Sequence, residues 1–130
     1  MKIIYGSKEK GVRVPKPFER EITLLLGPDK GDVKETRINL VTVPPGGKTN
    51  YHGHDRPEAL FVIDGKGSCK YEQGEIELEK DMLIWAEKDD PHQISNDSDT
   101  ELKLLTFFIP GFATEKALYR NQLKDTDEKK

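Results

Sequence analysis

Glycine, proline, asparagine and aspartate recur along this chain at short intervals and cut it into runs too brief for helices. That punctuation constrains the fold more than any other feature. The runs are rich in β-branched and aromatic residues and read as strands. Ile22–Leu26 ends at Gly27-Pro28-Asp29-Lys30-Gly31, and Glu35–Val43 stops at Pro44-Pro45-Gly46-Gly47. Ala59–Ile63 ends at Asp64-Gly65, while Ser68–Glu72 and Glu75–Leu78 flank Gln73-Gly74 as a hairpin. Met82–Ala86, Gln93–Ser95 and Glu101–Ile109 complete the series. Short strands at this spacing predict an all-β sandwich or barrel. Thr114–Leu123 is the one good helix candidate, capped by Thr114, with Leu118 and Leu123 on one side. The polar tail 124–130 is expected to be disordered.

The chain of 130 residues fits one compact domain, expected over 1–123. Its apolar fraction of 34% is low beside a charged fraction of 35%, so self-association, most simply as a homodimer, is expected to add burial. The net charge of −3 comes from interspersed signs, with no basic patch carrying interleaved aromatics, which argues against a nucleic-acid partner. No apolar run approaches the roughly 20 residues of a membrane span. The stretch from Met1 to Gly11 lacks the apolar region of a secretory signal, so a cytoplasmic location is expected. A single cysteine, Cys69, forbids an internal disulfide and is expected as a small, buried or half-buried strand residue.

Chemistry concentrates in the three histidines. His52 and His54 flank Gly53. In a strand, side chains at i and i+2 share a face, so both imidazoles could grip one ion from one side. Glu58 follows after Arg56-Pro57, where a bend could return its carboxylate to the same point, and His92 could complete the set from another strand. Histidines with a carboxylate suit redox-active or Lewis-acidic divalent metals.

The frame around these residues resembles the first motif of the cupin superfamily, G-x5-H-x-H-x3-E-x6-G. Gly46, His52, His54, Glu58 and Gly65 fill every fixed position. The second motif, G-x5-P-x-G-x2-H-x3-N, is kept at its end by His92 and Asn96. Its start departs: Lys80 or Asp81 stands for the first glycine, Glu87 or Lys88 for the proline, and Asp89 or Asp90 for the second glycine. The resemblance covers about residues 36–110. It implies an antiparallel β-barrel of the double-stranded β-helix or jelly-roll type, with about six to eight strands. It also implies that His52, His54, Glu58 and His92 hold one divalent transition metal, iron, manganese, nickel or zinc. Asn96 matches a position that makes a turn or a local hydrogen bond.

The resemblance further implies a small metalloenzyme acting on a small organic compound, by dioxygenase, isomerase, decarboxylase or lyase chemistry. The alternative is a non-catalytic binding or storage module with the metal as anchor. The sequence offers no Ser/His/Asp arrangement, no spare histidine base and no phosphate-binding glycine loop. If Glu58 points inward, parity sends Leu60 and Val62 inward and Phe61 and Ile63 outward. Trp85, Phe107 and Phe108 are candidates for the pocket wall or an interface. Arg37 would meet an anionic ligand if it faces inward, though an arginine in such a strand is more often a surface residue. Glu75, Glu77 and Glu79, alternating with Ile76 and Leu78, read as the solvated face of a half-buried strand. Whether Met1–Lys16 pairs within the domain or crosses to a partner subunit is left open by the sequence.

Overall fold

The computed structural model describes residues 1–113. Among them are nine strands and one 3-10 turn, Gly6–Lys8. The strands are β1 (Val12–Val14), β2 (Arg20–Leu26), β3 (Arg37–Val43), β4 (Glu58–Asp64), β5 (Gly67–Tyr71), β6 (Gly74–Leu78), β7 (Leu83–Ala86), β8 (His92–Ser95) and β9 (Leu102–Phe108). Each of the eight sequence-derived runs is found as a strand, with ends shifted by no more than two residues. The additional strand, β1, has only three residues, too few to show a period; antiparallel pairing with β2, Val12 opposite Ile22, defines it. The end of the N-terminal stretch thus pairs with β2 of the same chain. The helix candidate Thr114–Leu123 and the tail lie outside the described residues.

The expected barrel is corrected to two sheets that do not close into one. Six strands form one sheet in the order β1-β2-β3-β9-β4-β7, and three form the other in the order β6-β5-β8. All the pairings are antiparallel. No ladder joins the two sheets among the described residues. Isolated bridges, Lys48 with Ser95 and His52 with His92, tie the small sheet to the segment leading into β4. The layers are held chiefly by side chains rather than by backbone ladders.

Those side chains follow the pleat. In β4 burial alternates from Glu58 through Leu60 to Val62, with Ala59, Phe61 and Ile63 less buried. In β3 the buried residues are Arg37, Asn39, Val41 and Val43. Strand register lines these up into rows across the large sheet: Arg37–Phe108–Glu58, then Asn39–Thr106–Leu60, then Val41–Leu104–Val62. The last row, with Val43 and Leu102, packs against Cys69, Leu78 and Ile94 of the small sheet. Each such apolar side chain stabilises the fold by about 1.5–3 kcal/mol through burial. One end of the sandwich is thus dry and filled, and the other is lined by polar groups. Cys69 is buried, and burial with the negative charges of Glu58, Asp90 and Glu75 pushes its thiol up to about 11, so it stays protonated and unreactive. The expectation for β6 needs adjustment: Ile76 is exposed along with the glutamates, and within the strand only Leu78 is buried.

The glycine that closes the first motif has a steric reason. Gly65 has φ +91, and a β-carbon there would lie 2.2 Å from the Glu101 carbonyl oxygen. Gly65→Ala is expected to destabilise the domain by at least about 1–3 kcal/mol, since left-handed strain and a backbone clash combine. Urea unfolding of the variant beside wild type checks this; an unchanged midpoint would contradict the turn geometry.

Candidate metal centre

His52, Gly53 and His54 do not lie in a strand as expected. They form an irregular segment ahead of β4, and only His52 makes a bridge, with His92 of β8. Gly53 is required by close approach: a β-carbon would stand 2.9 Å from the carbonyl carbon of Asp89. The Asp89 N–H donates to the His54 carbonyl oxygen at 2.8 Å and pins this segment to the turn before β8. That turn explains the departures from the second motif. Asp81 and Asp89 have φ +72 and +63, the left-handed region that glycine usually fills. Aspartate tolerates it better than most residues. The motif register therefore needs no gap: Asp81, Glu87 and Asp89 occupy the glycine, proline and glycine positions. Asn96 anchors the next turn. It is buried, its Nδ2 donates to the carbonyls of Val43 and Thr100, and its Oδ1 accepts from the backbone N–H and hydroxyl of Ser98.

The fold brings together His54, Glu58 and His92, with one donor atom from each lying within 4.8 Å of the others. Glu58 Oε1 is 2.9 Å from His92 Nε2 and 3.4 Å from His54 Nε2. His92 Nδ1 donates to the Asp90 carbonyl at 2.9 Å, which fixes the ring and turns Nε2 toward Glu58. Burial alone would keep Glu58 protonated. Hydrogen bonds from His54 and His92, with their charges, outweigh it and hold the carboxyl at about 2. Burial likewise opposes a charge on His92, but the Glu58 bond and charge and the Asp90 carbonyl raise its pKa. The pair thus shares a proton that a cation bound there must displace.

His52 is not within that trio. Its ring meets His54 edge-on at 4.6 Å between centroids, and its Nδ1 donates to the Asn50 carbonyl at 3.3 Å, leaving Nε2 as the acceptor nitrogen. The donor set, neutral nitrogens around one carboxylate, fits a borderline divalent transition ion better than calcium or magnesium, which favour all-oxygen ligation.

These groups line a cavity of about 400 Å³ between the sheets, within the range of small-molecule sites. Exposed Asp55 and half-buried His52 line it together with the buried Leu60, Ile94 and Leu104. Arg37 is 2% exposed and belongs to this lining, so the surface reading of it is overturned. Of the three aromatic candidates, Phe108 faces the cavity, edge-on to His54 at 4.9 Å. Trp85 is exposed on the edge strand β7, and Phe107 points to the opposite face of the sheet from Phe108. Sequence reasoning missed Phe112, which carries the guanidinium of Arg37 at 5.1 Å and that of Arg56 at 4.7 Å, and it missed Asn39 and Thr106. Parity from Arg37 along β3 would have found Asn39.

A two-layer all-β domain with a His/Glu/His cluster in its cavity is a small-molecule-sized container with a candidate metal centre. The chain belongs to the cupin family: the cupin domain Cupin_2 matches residues 39–108. It is 30% identical over 84 residues to an uncharacterized protein of Methanocaldococcus jannaschii, covering 64% of this chain and 66% of that one, just under two thirds of its length. Among solved structures it is similar to a predicted oxalate decarboxylase of Thermotoga maritima. The TM-score is 0.76 with 19% identity, over 84% of this chain and 99% of that one. It is also similar to the polyketide cyclase RemF of Streptomyces resistomycificus. There the TM-score is 0.74 with 21% identity, over 88% of both chains. At these identities the structural likeness establishes the fold. No helix among the described residues is long and apolar enough to cross a membrane.

Replacing either cluster histidine tests the site. His54→Ala and His92→Ala are each expected to lose bound metal while keeping a β-type circular dichroism spectrum, because the apolar rows lie at the other end of the sandwich. Full metal occupancy in both variants would remove these residues as ligands.

Proposed function

We propose that this chain is a metal-dependent cupin enzyme that acts on a small organic substrate in the cavity between its sheets. One divalent ion, iron, manganese, nickel or zinc, is held by His52, His54, Glu58 and His92. The observation that carries this reading is the convergence of His54, Glu58 and His92 on one point of a cavity wall, from two separate stretches of the sequence. His52 joins the set because it lines the same cavity, in the position the family motif gives a ligand.

When bound, the ion supplies Lewis-acid polarisation of a substrate oxygen or, as iron, redox chemistry. The protein supplies the rest. The Asp90 carbonyl orients His92, Phe108 packs on His54, and Leu60, Ile94 and Leu104 make their part of the wall apolar. Asp55 and Asp89, which also line the cavity, are the carboxylates available for proton transfer. Relatives of this fold include proteins described as a predicted oxalate decarboxylase and a polyketide cyclase, so the reaction is proposed only as dioxygenase, isomerase, decarboxylase or lyase type.

Elemental analysis of the protein purified without added metal is the direct test, run beside His52→Ala. A stoichiometric transition metal in wild type supports the centre, and its identity narrows the reaction. The His52 change is expected to weaken retention by no less than the roughly 10–100-fold that outer-shell partners typically cost. No metal after reconstitution would leave the chain as a small-molecule binder.

The domain is also proposed to be a homodimer, because Leu83 and Trp85 leave 64% and 49% of their surface exposed side by side on the edge strand β7. A dimer mass by light scattering is expected, and Trp85→Lys should shift it toward monomer. A monomer mass for wild type would rule the dimer out.

A further inference from the structure

The polar row of the large sheet has a second centre of chemistry beyond the candidate ligands. Arg37, Phe108 and Glu58 face one another across three adjacent strands. Arg37 therefore sits two strand spacings from Glu58, about 10 Å between α-carbons, on the same inward face. The guanidinium is 2% exposed and lines the cavity. A fixed cation buried there is expensive unless matched by negative charge. Two of its contacts are to a backbone carbonyl and to a carboxylate. Nη1 is 3.3 Å from the Phe112 carbonyl and 3.9 Å from Asp29 Oδ1, an ion pair longer than a hydrogen bond, to a carboxylate that is 36% exposed. Burial lowers the pKa of Arg37 and Asp29 partly restores it, but the guanidinium stays charged.

Asn39 lies one inward position along from Arg37 and is 5% exposed. Its Oδ1 is buried without a hydrogen-bond partner among the described residues. Thr106 stands directly opposite it on β9, also buried and also on the cavity wall. A buried acceptor left without a donor is costly, and a wall that carries one beside a buried guanidinium presents an acceptor and a positive charge to the same ligand.

We infer that Arg37 and Asn39 form an anion-and-hydroxyl subsite, so that the substrate class is a short hydroxylated organic acid. Its carboxylate faces Arg37, its hydroxyl donates to Asn39 Oδ1, and its other polar end reaches the metal centre. The inference rests on the proposed metal-dependent reading for that last contact, while the Arg37 and Asn39 contacts stand without it. The spacing favours a short chain, and the apolar residues Leu60 and Leu104 between and below the polar groups accept its carbon backbone.

The test is calorimetric titration of zinc-reconstituted protein with succinate and with each enantiomer of malate, with zinc measured in every sample. Wild type is expected to bind one malate enantiomer more tightly than succinate. Arg37→Gln should weaken malate by about tenfold or more, the loss typical of a charge-assisted hydrogen bond, while retaining zinc. Asn39→Leu should erase the advantage of malate over succinate. If thermal melting reports Arg37→Gln as unfolded, Asn39→Leu carries the test alone. Stoichiometric zinc with equal malate affinity in wild type and folded Arg37→Gln overturns the inference and leaves the metal centre standing. Arg37-dependent malate binding without zinc uptake supports the subsite and sinks the metal reading. A retained malate advantage in Asn39→Leu, or no binding of any probe by wild type, overturns the inference.

Discussion

The buried hydrogen bond between His92 and Glu58, at 2.9 Å, joins β8 of the small sheet to β4 of the large one. No continuous backbone ladder connects those sheets among the described residues, so this contact and the His52–His92 bridge register one layer against the other at the polar end. Leaving one partner of such a buried pair unmatched costs about 3–5 kcal/mol. The contact therefore fixes geometry as well as charge. It brings the acid of β4 and the imidazole of β8 to one point, and His54 reaches the same point because Gly53 lets its segment lie against the Asp89 turn.

From that point the interior changes character along the strands. The row containing Glu58 holds Arg37 and Phe108, the next holds Asn39 and Thr106, and the rows beyond are aliphatic. The same register that aligns strands for backbone pairing thus sorts the cavity into a charged end and a dry end. Stability resides mainly in the aliphatic rows, and chemistry in the polar ones. This separation lets ligand residues vary without emptying the core, and it places a buried cation opposite a buried carboxylate with an apolar strip between them.

Much of this was legible from the chain. Turn residues bounding β-rich runs located eight strands, and parity from Glu58 correctly turned Leu60 and Val62 inward. The fixed spacing of the first motif singled out His54 and Glu58, and the end of the second motif singled out His92. Three features were not legible. β1 is too short to carry a period. Arg37 looked like a surface residue because arginine usually is one, although it shares parity with Val41 and Val43. The departures at the start of the second motif left the conformation before His92 unread, yet Asp81 and Asp89 adopt the left-handed backbone of the glycines they replace.

The sequence by itself determined the strands, their inward faces and the residues able to bind a cation, because alternation and turn chemistry act over a few neighbouring residues. Tertiary structure alone decided that the strands form two sheets rather than a closed ladder. It also decided that three of the four candidate ligands converge while His52 stands beside them, and that Arg37 faces the same cavity. Those outcomes depend on how strands distant in the chain set their register against one another, and no local pattern encodes that register.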